Sequence, residues 1–111
     1  MKERFEIILS DEVLEFLEQL DEKVSDKITY NIRKTIYVND PKLFKKLTGK
    51  IWEFRTKYRK IQYRLLAFWD KRNKKQTLVI TTHAIIKKAK KIPKSDIEKA
   101  IQTMNRYFST K

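Results

Sequence analysis

The sequence predicts an α+β protein. A small, twisted, mainly antiparallel sheet of about four strands carries a helical hairpin on one face and a C-terminal helix. Three observations lead there. Two early stretches repeat apolar residues at helical spacing, each behind a residue suited to cap a helix. Three strand-like runs then follow Gly49, the only glycine in the chain. A last amphipathic stretch follows Pro93.

Arg4–Leu9 (RFEIIL) reads as the first strand. Ser10 then offers a hydroxyl cap, with Asp11 and Glu12 in the first turn to suit the helix dipole. Val13, Leu14, Leu17 and Leu20 form the stripe of this first helix. Asp21 caps a second, whose stripe is Val24, Ile28, Ile32 and Ile36, broadened by Tyr30 and Tyr37. Asn39-Asp40-Pro41 ends it, because the residue before a proline leaves the α region. Leu43, Phe44 and Leu47 read as a small apolar patch in a loop or short turn. Gly49 supplies a backbone turn into strands over Ile51–Lys57, Ile61–Trp69 and Gln76–His83. Asp70–Lys75 reads as a hairpin connection between the last two. Ser95 and Glu98 have capping-box spacing, and Ile97, Ala100, Ile101, Met104 and Phe108 form the inner face of the last helix. Two consecutive helices must bury their stripe, and one face of the sheet is the natural partner. The other face is then free to be concave and basic.

The 111 residues form one domain, 1–111, with no internal repeat or linker. Lack of cysteine excludes disulfides and thiolate metal sites and fits a reducing, cytoplasmic setting. No apolar run approaches the roughly 18 residues of a membrane span. The first residues, MKERFEIIL, are too charged for a signal peptide. Charge is unevenly placed. Residues 1–40 carry a net −4, whereas residues 41–111 carry +17. A segment that basic attracts polyanions by counterion release, though a solvated lysine-rich surface has the same composition.

The chemistry concentrates in IWEFRTKYRKIQYRLLAF, Ile51–Phe68. Alternation puts Trp52 and Phe54 under the helices, and Glu53 and Arg55 on the opposite face. Arg64, on the neighbouring strand, approaches them if the register allows. His83 closes the third strand, with Lys87 and Lys88 just beyond. Metal-free RNA cleavage needs such a mixture. A base removes the 2′-OH proton, cations stabilise charge building on the phosphate, and an acid protonates the departing 5′ oxygen. Each residue also has a plainer reading. Glu53 and Arg55 make a surface salt bridge, His83 is structural, and the lysines are solvated. Arg64 resists the plainer reading, since an unpaired arginine in an apolar strand is expensive. No Gly-rich phosphate loop, zinc spacing or nucleophile triad is present.

Three ordered segments carry a resemblance. Leu47-Thr48-Gly49-Lys50-Ile51-Trp52-Glu53-Phe54-Arg55, Tyr63-Arg64-Leu65-Leu66 and His83-Ala84-Ile85-Ile86-Lys87-Lys88 are similar to motifs of phage-derived toxin-like proteins in the RelE/HigB (RelE/ParE) superfamily. Ala84-Ile85 stands where that family has Gly-Phe. The resemblance implies a RelE-like fold and the toxin of a type II toxin–antitoxin system. Most such toxins cut mRNA in the ribosomal A site without metal or other cofactor. It also implies a cognate antitoxin as partner, in a hetero-oligomer. Arg55 and Arg64 are then expected to bind the phosphate and stabilise the transition state. Glu53 and His83 are acid/base candidates, and Lys57, Lys87 and Lys88 are expected substrate contacts. A ParE-like gyrase inhibitor and a non-catalytic nucleic-acid-binding module are the alternatives.

Overall fold

The computed structural model describes residues 2–110. Its elements run β1 (Glu6–Ile8), α1 (Asp11–Gln19), α2 (Glu22–Tyr37), β2 (Phe44–Thr48), β3 (Ile51–Tyr58), β4 (Ile61–Asp70), β5 (Leu78–Lys87) and α3 (Lys94–Ser109). The sheet is five-stranded and mixed, in the order β1-β5-β4-β3-β2. β1 lies parallel to β5, and every other pair is antiparallel. Among the described residues, no helix is long and apolar enough to cross a membrane.

The helical hairpin occupies one face of the sheet. Val13 and Leu17 of α1 and Val24, Ile28 and Ile32 of α2 pack on Phe54, Leu65 and Val79. The cap of α1 is built as its sequence suggests. The Ser10 hydroxyl accepts from the Val13 amide at 3.1 Å and donates to the Thr82 carbonyl at 3.0 Å. The Ser10 amide donates to the Thr81 hydroxyl at 2.9 Å. This one residue therefore starts the helix and fastens it to β5. Ser10→Ala is expected to cost about 1 kcal/mol, seen as a melting point lower by about 5 °C.

The opposite face is less open than the sequence suggests. Helix α3 covers part of it, burying Ala100 against Ile51, Leu66, Phe68 and Ile80. What stays uncovered is the end carrying Glu53, Arg55 and Arg64.

Four expectations are corrected. The patch around Phe44 and Leu47 is an edge strand, β2, with Phe44 stacked on Phe54 at 4.3 Å between ring centres. Its outward Lys45 and Lys46 hid the strand in the sequence, and exposed lysines are the ordinary protection of a sheet edge. The last strand does not close at His83 but runs on to Lys87, because Ala84 and Ile85 keep alternating between the two cores. The Ser95/Glu98 capping box is not made. Pro93 occupies the N-cap, without a side-chain cap bond, and Ser95 lies inside the helix. Tyr30 and Tyr37 do not broaden the buried stripe of α2, since they are 62% and 40% exposed. Gly49 does make its turn in the left-handed region, at φ +55°. The β3–β4 turn does the same without glycine, through Arg59 and Lys60 at φ +50° and +71°.

Candidate functional site

Strand register brings three of the expected residues together. Arg55 of β3 lies directly opposite Arg64 of β4, and Glu53 lies opposite Leu66. Two cations facing each other across a ladder repel. Glu53, one diagonal step away, offsets that repulsion. Its Oε1 is 3.1 Å from Arg64 Nε, and its Oε2 is 4.0 Å from Arg55 Nε. The contact between Arg64 Nε and Glu53 Oε1 is a buried ion pair.

Burial ranks the three. Arg64 is 3% exposed and Glu53 6%, while the Arg55 side chain keeps 31%. Arg64 is oriented further by donating to Gln62 Oε1 at 2.6 Å and to the Tyr63 carbonyl at 3.3 Å. Burial pushes its guanidinium below the ordinary arginine value, Glu53 opposes that, and Arg55 adds to it. An arginine starts so far above neutral that it stays charged. The cluster is thus a pair of cations, of which Arg64 is held in place, around one carboxylate, with one positive charge in excess. A phosphate is a suitable ligand for that excess.

Two grooves meet at this cluster. The first, about 540 Å³, runs along the β3 edge beside α2 and contains Arg55, Lys57 and Arg64. The second, about 470 Å³, lies between β2 and the loop after β5 and contains Glu53, Arg55 and Lys87. Arg55 walls both grooves. Glu53 borders the second groove and Arg64 the first. Lys88 is exposed just beyond β5 and lines neither groove.

His83 sits differently. It is 2% exposed, and both ring nitrogens are engaged. Nδ1 is 3.0 Å from the Thr82 hydroxyl, and Nε2 is 3.0 Å from Asp96 Oδ1 at the start of α3. These contacts fasten α3 to β5 and hold the imidazole away from solvent. Asp96, unnoticed in the sequence, is spent on this bond instead of on helix capping. Other groove residues are not among the expected site residues. Lys27, Tyr30, Lys34 and Lys42 line the first groove. The signal was present in the first three, which share one side of α2 at helical spacing. Among the described residues, no three His, Asp or Glu side chains gather where a metal ion could be held.

Comparison with curated proteins finds no match for the chain. The family described as "Phage derived protein Gp49-like (DUF891)" matches residues 15–105. That span takes in the second half of α1, all of α2, strands β2 to β5 with Glu53, Arg55, Arg64 and His83, and most of α3. The chain therefore belongs to the Gp49-like family of phage-derived proteins.

Proposed function

We propose that this chain is the toxin of a type II toxin–antitoxin pair and cuts mRNA on the ribosome, in the cytoplasm and without metal. The carrying observation is the carboxylate set between two arginines, one of them buried and held, at the meeting of two basic grooves. Membership of the Gp49-like family and the resemblance to RelE/HigB toxins support the same reading.

In this mechanism Arg64 and Arg55 grip the scissile phosphate and take up the negative charge that grows on it. In this scheme Glu53, whose Oε1 is buried against Arg64, accepts the proton of the attacking 2′-OH through its other oxygen. Oxygen O2′ then bonds to phosphorus as the bond to the 5′ oxygen breaks, leaving a 2′,3′-cyclic phosphate, and the departing 5′ oxygen takes its proton from solvent. With both nitrogens engaged, His83 acts as a positioning residue in this scheme: it fixes α3 against the sheet that carries the arginines. Lys57 and Lys87 flank the cluster along the two grooves, and Lys88 extends the positive surface. All three meet phosphates of the strand to either side.

A free polypeptide with this charge binds RNA indiscriminately, which calls for a cognate antitoxin presenting acidic and apolar surface. The complex is expected to form faster at low salt yet survive moderate salt once formed, because buried apolar contacts are not screened.

The test is induced expression with mapping of mRNA 5′ ends, alone and with the neighbouring small reading frame. Cuts inside translated codons, suppressed when the neighbour is co-expressed and co-purifies, are the expected result. Intact mRNA with gyrase-linked DNA breaks overturns the nuclease reading in favour of a ParE-like activity. If no neighbouring protein co-purifies or relieves toxicity, the antitoxin part fails.

A further inference from the structure

The first groove holds a feature that phosphate chemistry at the arginine cluster does not explain. Tyr30, in the middle of α2, is 62% exposed. Among the described residues, its ring has no aromatic neighbour and its hydroxyl no hydrogen bond. Lys27 and Lys34 flank it on the same side of the helix, roughly 10 Å apart along the axis. All three line the groove that contains Arg55 and Arg64. The helix is held against the strand edge below them. Asn31, the next residue, is buried and donates from Nδ2 to the Thr56 hydroxyl at 3.0 Å. The tyrosine is therefore exposed on a fixed support.

Charge identifies the occupant. The groove gathers six Lys and Arg side chains and one carboxylate, Asp40. That carboxylate is occupied locally, accepting from the Lys42 amide at 2.9 Å. An aromatic face between two ammonium groups fits one nucleotide: the base stacks on the ring while the phosphates on either side meet the lysines. An acidic peptide would satisfy the cations but has less use for a flat, unpartnered ring. The groove is also continuous with the proposed phosphate grip, so one single strand can lie across both.

We propose that Tyr30, with Lys27 and Lys34, forms a stacking subsite for a nucleotide of single-stranded RNA next to the phosphate held by Arg55 and Arg64. The subsite rests on the nuclease reading for its biological substrate. Its binding chemistry does not depend on cleavage. Because every base offers a π-face, the subsite adds affinity and register with little base preference.

The experiment measures binding of a fluorescein-labelled ten-nucleotide single-stranded RNA to the full chain by anisotropy, over a range of salt concentrations. Ribosome-dependent mRNA cleavage is scored in parallel. Tyr30→Ala is expected to weaken RNA binding about tenfold, whereas Tyr30→Phe, which keeps the ring, binds like the parent. Lys27→Ala is expected to reduce the slope of log affinity against log salt by about 0.7, the value for one lost contact to a single strand. Unchanged binding by Tyr30→Ala overturns the subsite, as does an equal loss in Tyr30→Phe. Loss of antitoxin binding by Tyr30→Ala with RNA binding intact also overturns it and makes the ring a protein contact. The two readings separate cleanly. Tyr30-dependent RNA binding by a protein that cuts no mRNA supports the subsite and sinks the nuclease. Cleavage and RNA binding both indifferent to Tyr30 sink the subsite and leave the nuclease standing.

Discussion

Arg64→Ala is expected to abolish growth inhibition and to slow mRNA cleavage by on the order of a hundredfold or more. The size of the effect follows from where the guanidinium sits. It is buried, held by Gln62 and Tyr63, and paired with Glu53, so it loses little freedom when a phosphate arrives. Charge fixed in place before reaction costs no reorganisation during it. The substitution also leaves Glu53 buried with only the more distant Arg55, which destabilises the fold. Arg64→Lys separates the two effects. It retains a charge near Glu53 but lacks the planar fork that holds two phosphate oxygens. A folded Arg64→Lys protein with most activity lost places the defect in phosphate recognition. Full toxicity from folded Arg64→Ala would show that the proposed site is wrong.

The sheet and its helical hairpin were legible because hydrophobic period alone specifies them. The stripe Val24, Ile28 and Ile32 has no other way to be buried, and the alternation from Trp52 to Arg55 assigns faces without knowledge of the partner strand. The pairing of Arg55 with Arg64 was not legible, since register depends on the turn at Arg59-Lys60, and neither residue announces a left-handed conformation. Strand β2 escaped for a related reason: an edge strand needs few apolar residues, and Phe44 supplies most of its anchorage. His83 was placed correctly on a strand, but its burial under α3 depends on Asp96, thirteen residues away. No local pattern joins those two. Tyr30 was misread because an aromatic ring beside an apolar stripe ordinarily belongs to it. Only the position of the β3 edge shows that this ring faces a groove.

Asp70→Asn is expected to destabilise the protein by about 2 kcal/mol, because one buried carboxylate at the end of β4 accepts three bonds from Arg72 and one from Tyr107 of α3. Asp70 Oδ1 accepts from Arg72 Nε at 3.0 Å and from the Arg72 amide at 3.1 Å, and Oδ2 accepts from Arg72 Nη2 at 2.8 Å. The Tyr107 hydroxyl donates to the same Oδ2 at 2.7 Å. Arg72 also stacks over the rings of Tyr107 and Phe108, at 5.6 and 4.8 Å. Asparagine keeps the shape but loses the charge and an acceptor. Arg72 is half exposed and can turn to water, which limits the loss; Tyr107 cannot do so as easily. The Arg72 bonds, with help from Tyr107, hold the Asp70 carboxyl far below its ordinary range against the opposing effect of burial. A carboxyl whose folded value is depressed stabilises the fold fully above its unfolded value, near 4, and loses that contribution as pH falls through the folded one. The stability gap between parent and Asp70→Asn should therefore be constant from pH 7 to about pH 5 and narrow below about pH 4. Urea unfolding at a series of pH values measures it. A gap that stays constant down to pH 2 would mean that the carboxylate charge contributes nothing, and that this end of the C-terminal helix is held by the packing of Tyr107 and Phe108 on Phe68.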